Sequence, residues 1–446
     1  VSKEGIVADL ESMAAVGIGG AQIFDAGCAI PPGDVAFNTP RWYEMFSCAA
    51  ETAARLKLEL CHANCSGWSS SGGPWVTPDK GMKTVLAPSE TEVLKGPMRF
   101  VGKLPLPPLP ATNRWTVIPP GAFRADIAYL AVPAVANLPG TTNHLSVADL
   151  AAKMFAVRTN PIRRDMRVAR PGEAIARDRV VDVTRFVADD GTLSWDVPAG
   201  EWRILRLQYA STGQSNFPAS RNGVGYEVDK LSAEAVREHL DAYVGRLVKA
   251  LGPNAGAHPY GLNNILVDSY EVGCQNWTQG FENEFARLAG YPITPYLPVL
   301  AGYVVGSVDE SERFLEDYRR VIADLFAENY AGALQRRCHE LGLRFSLEPY
   351  GNGPFDNLQY GRNCDIPVAE FWSHGQHRND DCGNSRLAAH VAHVWGRRLV
   401  ATESFTGEPT TGGRWLTTPW AIKGQADSAY AAGANRLVFH RFAHQP

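Results

Sequence analysis

Apolar positions recur along the first ninety residues in two alternating rhythms. Ile6, Leu10 and Met13 fall at helical spacing over residues 3–16, and Gly17 is placed to end that helix. An apolar run, Ile18 to Phe24, then closes at Asp25. Thr39-Pro40 has the form of a cap with proline at the first helical position, and Trp42, Phe46, Ala50, Ala53 and Leu56 continue one face. The run from Leu58 to His62 reads as a second strand, opening into a long loop, Asn64–Pro78. Helix, strand, helix, strand with short joints predicts βαβ units and a parallel sheet.

The rhythm changes between residues 90 and 220. Helical periodicity fades, prolines gather, and β-rich runs take over at Trp115–Ile118, Ala128–Val132 and Trp202–Tyr209. Alternation through Val180–Thr184, Leu193–Val197 and Trp202–Leu207 has the character of sandwich strands. We therefore expect a β-sandwich inserted into the parallel unit.

Helix and strand alternate again after Ser232. A helix carries Val236, Leu240, Tyr243, Leu247 and Leu251, and a strand follows at Asn264–Ser269. A long helix is predicted over Asp309–Leu341, with Gly342 past its end. Strands are expected at 343–347, 366–370, 399–402 and 436–439, with helices at Leu387–Trp395 and from Pro419. Outside the insertion this makes seven strands, one short of a (β/α)8 barrel. The chain opens on a helix, so the expected fold is a barrel whose first strand lies before Val1. The expected division is barrel at 1–88, sandwich at 89–220, and barrel again at 221–446.

The charge pattern bears on function first by exclusion. A formal net charge of −4 with no basic stripe argues against nucleic-acid or anionic-membrane partners. No apolar run reaches the length of a membrane span. The eight cysteines show no paired metal-binding spacing.

The carboxylates carry the positive signal. Barrel active sites form at the C-terminal ends of the strands. Four consecutive strands end on, or just before, a glutamate: Glu271, Glu348, Glu370 and Glu403. Counted with the expected first strand, they are the fourth to the seventh. A single strand-end glutamate often only makes a salt bridge, but four at one mouth would be costly without substrate, donors or a cation. Glycoside cleavage needs two carboxyls, one to protonate the leaving oxygen and one to activate water or attack carbon. Glu271 and Glu403, on strands facing each other across the mouth, are the candidate pair.

Other signals weigh less. Gly17-Ile-Gly-Gly precedes a strand, so it is no dinucleotide fingerprint. His374, His377, Asp380 and Asp381 cluster after one strand without a fixed metal spacing. A metal-dependent hydrolase centred on His374 and His377 is therefore a minor alternative. Trp68, Trp75, Trp277 and Trp372 follow strand ends and are candidate sugar-stacking platforms, or simply core.

Five segments resemble the α-L-rhamnosidases of glycoside hydrolase family 106: Gly17–Asp25, Asn64–Pro78, Val228–Ser232, Asp268–Thr278 and Ala401–Phe405. The resemblance runs through essentially the whole chain. It implies an inverting, calcium-dependent enzyme that removes terminal α-L-rhamnose, with Glu271 as acid and Glu403 as base. It also implies a family in which further β-domains follow the barrel, and bacterial enzymes exported to degrade polysaccharide. Calcium prefers oxygen ligands, and Glu370 is its first candidate here, with Asn64 second. Asp268, Tyr270, Asn276, Trp277, Glu348, Trp372, His374 and Trp68 are the expected substrate-binding residues. A retaining β-glycosidase using the same two glutamates, and a carbohydrate-binding barrel without catalysis, are the alternatives.

Overall fold

A computed structural model describes residues 1–28, 33–109, 122–135, 147–158, 163–252, 259–374, 382–407 and 417–442. The predicted strand Trp115–Ile118 and the residues His377, Asp380 and Asp381 lie outside these.

Seven strands form one wholly parallel sheet: β1 (Gly20–Ile23), β2 (Glu59–Ala63), β3 (Gly261–Val267), β4 (Arg344–Leu347), β5 (Ile366–His374), β6 (Ala401–Gly407) and β7 (Arg436–Phe439). They stand side by side in chain order. Every residue of β3 is buried, Asn263 and Asn264 included, as befits a central strand covered on both faces. The sheet curls until it is nearly closed. At its lower rim Glu59, opening β2, accepts hydrogen bonds from Arg344 of β4 at 2.7 Å and from Arg436 of β7 at 2.9 and 3.2 Å. Strands five places apart meet this way only around the inside of a barrel-like sheet.

The helices begin where the sequence supplies caps. Thr39 accepts the amide of Trp42 at 3.3 Å and Pro40 opens the helix Pro40–Leu56. Lys57 ends it in the left-handed conformation. Ser232 caps Ala233–Leu251 through the amide of Ala235. The predicted long helix is present but not uniform: α-helix at Val308–Leu325, a π-helical stretch at Phe326–Ala331, then α-helix at Gly332–Glu340. Periodicity shows no sign of the π turn, because one extra residue per turn leaves the buried face apolar throughout. That turn sends the Tyr330 hydroxyl to the carbonyl of Ser70 at 2.7 Å, in the loop after β2.

Between β2 and β3 the chain builds a six-stranded antiparallel sheet centred on Leu193–Ser211. That strand pairs with Lys83–Val85, Ser89–Glu90, Leu94–Gly102 and Arg124–Pro133. It bends enough for Trp195 and Trp202 to meet edge to face at 5.9 Å. Their indoles share a small core with Tyr129, Val183 and Ile204. A second, larger core is continuous from this sheet into the parallel one. Among the described residues no helix is long and apolar enough to cross a membrane.

Candidate active site

Parallel strands deliver consecutive side chains to the same rim, and here the rim is acidic. Asp268 follows β3, Glu348 follows β4, and Glu403 lies on β6. One oxygen from each lies within 4.8 Å of the others. Glu370 of β5 stands level with Glu403, its register partner on β6. Glu271 is exposed three residues beyond Asp268, and its carbonyl accepts from Arg158 Nη1 at 3.3 Å.

Glu348 is 1% exposed. Its Oε2 accepts the amide of Ser269 at 3.0 Å and the hydroxyl of Tyr350 at 2.7 Å. Its Oε1 is buried with no protein partner. Burial comes first in raising both Asp268 and Glu348 well above the usual carboxylate range, and the neighbouring carboxylates add to it. Glu403 is pushed up to about 7, mainly by burial. A hydrogen bond from Thr406 opposes the rise, and the negative charge of Glu271 reinforces it. So close a group of acids stays fully ionised only if a cation or hydrogen-bond donors answer the charge.

The loop after β2 makes the neighbouring wall. Phe24, Asn64, Trp68, Ser70, Leu266 and Asp268 line one narrow crevice. Asn64 is 2% exposed, and its Nδ2 has no protein partner. The loop is held from below by a wholly buried charge pair. Glu227 accepts from Ser69 and Ser71, each at 2.5 Å, and from Lys230 Nζ at 2.6 Å. Lys230 also lies over the rings of Tyr270 and Tyr330.

Three expected substrate contacts turn inward instead. Tyr270 is 1% exposed, donates to the carbonyl of Gly273 at 2.7 Å and packs on Phe326 and Phe355. Asn276 accepts the amide of Val85 at 2.8 Å, joining the antiparallel sheet to the loop after β3. Trp277 is 0% exposed and lies 4.7 Å from the Phe281 ring, so it is core and no sugar platform. Trp372 is half-buried and its carbonyl accepts from Gln425. His374 ends β5, opposite Gly407.

Sequence reasoning missed Tyr350, Thr406 and His440. Thr406 donates to Glu403 Oε1 at 3.0 Å, and His440 Nδ1 lies 3.3 Å from the same oxygen. Tyr350 was visible as an aromatic two residues past a strand-end glutamate. His440, just after β7, had no local signal.

Comparison with known proteins adds three findings. The sequence model of glycoside hydrolase family 106, described as alpha-L-rhamnosidase, matches residues 1–119 and 148–446. A Formosa agariphila protein with the provisional name beta-glucuronidase is 41% identical over all of this chain, which covers 36% of that protein. The solved structure of a rhamnosidase from Novosphingobium sp. PP1Y superimposes with a TM-score of 0.86 at 30% identity, over 99% of this chain and 54% of the other. The chain thus spans about a third of the first relative and about half of the second.

Proposed function

Because the chain belongs to glycoside hydrolase family 106, the α-L-rhamnosidase family, we propose that it carries the catalytic site of an inverting glycosidase that removes terminal α-L-rhamnose. The observation that carries this reading is the convergence of Asp268, Glu348 and Glu403 at the C-terminal rim of the parallel sheet, with Glu271 at its edge. The finer architecture that goes with it is a (β/α)8 barrel, residues 1–88 and 221–446, with a β-sandwich inserted at 89–220. Export to meet an extracellular glycan belongs to the same reading.

In this mechanism Glu271 protonates the glycosidic oxygen as the bond to the anomeric carbon breaks. Its exposed position suits a leaving group that departs toward solvent. Glu403 takes a proton from a water that attacks the opposite face of the sugar. A base titrating near 7 is matched to that task, since it is both ionised and basic near neutrality. Asp268 binds the ring with Trp68 as a platform beside it, and Glu348, fixed by Ser269 and Tyr350, orients it.

The donor set also fits calcium. The clustered ligands are all oxygens, and the buried Oε1 of Glu348 lacks a protein partner. Asp268 and Glu348, two of the three clustered acids, would hold the ion, with Glu370 from the next strand and the amide oxygen of Asn64 as further candidates. Bound there, calcium supplies positive charge that neutralises the acids and anchors sugar hydroxyls.

The relative with the glucuronidase name favours a second reading, a β-glycosidase using the same two glutamates. The test sets an aryl α-L-rhamnoside against an aryl β-D-glucuronide with the full-length protein, following the released anomer by NMR. Inverted rhamnose, abolished by chelator and in Glu271→Gln and Glu403→Gln, is the expected result. Release of glucuronic acid alone would overturn the rhamnosidase reading in favour of the second.

A further inference from the structure

The hydroxyl of Thr406 is wedged between two groups that both compete for it. It lies 3.0 Å from Glu403 Oε1 and 2.9 Å from His440 Nδ1, and Nδ1 is itself 3.3 Å from Oε1. Thr406 is 4% exposed, so water does not readily replace either partner. A threonine hydroxyl has one hydrogen to give, and an ionised carboxylate can only accept. With Glu403 ionised, the hydrogen of Thr406 goes to Oε1, and its oxygen is left to accept from the ring. His440 is then the donor, carrying its hydrogen on Nδ1. Burial, with the charge of Arg441 adding to it, pushes the ring down to about 4, so it is neutral and holds a single N–H.

We propose that Thr406 and His440 are positioning residues that hold the Glu403 carboxylate through the relay His440 Nδ1–H to Thr406 Oγ1–H to Glu403 Oε1. The functional consequence rests on reading Glu403 as the catalytic base. The relay fixes one oxygen, Oε1, and with it the plane of the carboxylate and the direction in which Oε2 points. It draws on two strands: Thr406 lies on β6 with Glu403, and His440 comes just after β7. The pairing of these strands, Ser404 opposite Phe439, sets the spacing of the relay. If Glu403 gains a proton, the same three atoms can reverse direction, with Oε1–H donating to Thr406 and Thr406 donating to Nδ1. That reversal requires the ring hydrogen to sit on Nε2 instead.

The experiment combines tautomer and turnover in the full-length protein. Nitrogen-15 NMR of the His440 ring at about pH 9, where Glu403 is ionised, assigned by comparison with His440→Asn, should show a protonated Nδ1 and an unprotonated Nε2. In Thr406→Val the Nδ1 signal should shift. On the aryl substrate, Thr406→Val should lower kcat about 10- to 100-fold, the range seen when a supporting partner of a site ligand is lost. KM should change by less than about twofold, because the base does its work in the transition state. Thr406→Ser, which keeps the hydroxyl, should restore kcat. His440→Asn, whose amide can donate from the Nδ1 position, should exceed His440→Leu. An Nε2–H tautomer in the wild type, or Ser and Asn variants as damaged as Val and Leu, would overturn the relay. If wild-type protein cleaves neither the rhamnoside nor the glucuronide, the functional reading falls instead, and the tautomer still decides the relay.

Discussion

At the scale of single residues, Glu403 gathers opposing influences on its own charge. Burial and the charge of Glu271 lift it to about 7, while Thr406 pulls it down. If it is the base, kcat/KM falls as pH drops below about 7, since the protonated carboxyl cannot take a proton from water. If it is the acid, the same group makes kcat/KM fall as pH rises instead. The direction in which kcat/KM of the wild type changes through about pH 7 therefore assigns the two roles. Glu227 poses a different problem, being a wholly buried charge answered by Lys230. Lys230→Met leaves that carboxylate uncompensated and should cost about 3–5 kcal/mol of stability. Thermal melting reads this directly, and an unchanged Tm would show that Ser69 and Ser71 alone suffice.

At the scale of elements, strands were far more legible than the loops that carry the site. All seven parallel strands lie within a few residues of their apolar runs, and β7 has the predicted limits. The central parallel strands are largely buried, and short apolar runs mark most of them even where polar residues such as Asn263 and Asn264 interrupt. The glutamates near their C-terminal halves were legible as charges closing those runs, although Glu370 and Glu403 lie within β5 and β6 and only Glu348 and Glu271 come after their strands. The loop after β3 misled in three places. Tyr270, Asn276 and Trp277 follow a strand end and are types that bind sugars, but type does not say which way a loop residue turns. The antiparallel sheet pairs with this loop, through Val85 to Asn276, and draws those side chains into the core. Contacts between residues nearly two hundred positions apart leave no local trace. Two substitutions separate the cases. Trp277→Ala should cost about 3–5 kcal/mol in stability, as a fully buried indole does. Trp68→Ala, at the crevice, should raise KM for the rhamnoside and leave Tm nearly unchanged.

For the whole molecule, the acid cluster ties stability to pH, and the proposed calcium would act on the same balance. Carboxyls raised in the folded state bind more protons there than in the unfolded chain. Stability without a cation therefore falls as pH climbs, for Glu403 between its ordinary value of 4.5 and about 7. Calcium should reverse this trend, and its stabilising effect should grow over the same interval. At a hundred times its dissociation constant the ion adds about 2.7 kcal/mol. Calorimetry at pH 5 and pH 8, with calcium and with chelator, measures both. A calcium shift in Tm that is equal at the two pH values would argue that the ion binds away from these carboxylates.

The Glu59 clamp joins β2, β4 and β7 at the end of the sheet opposite the acidic rim. The acid cluster and the clamp thus stand at opposite poles of the same sheet. A breeder of new specificities can rewrite the upper loops, trading one sugar for another, while three strands stay tied from beneath. The converse also holds: a change at the clamp would be felt first as fragility in warm solution, long before any shift in what the enzyme prefers to cut.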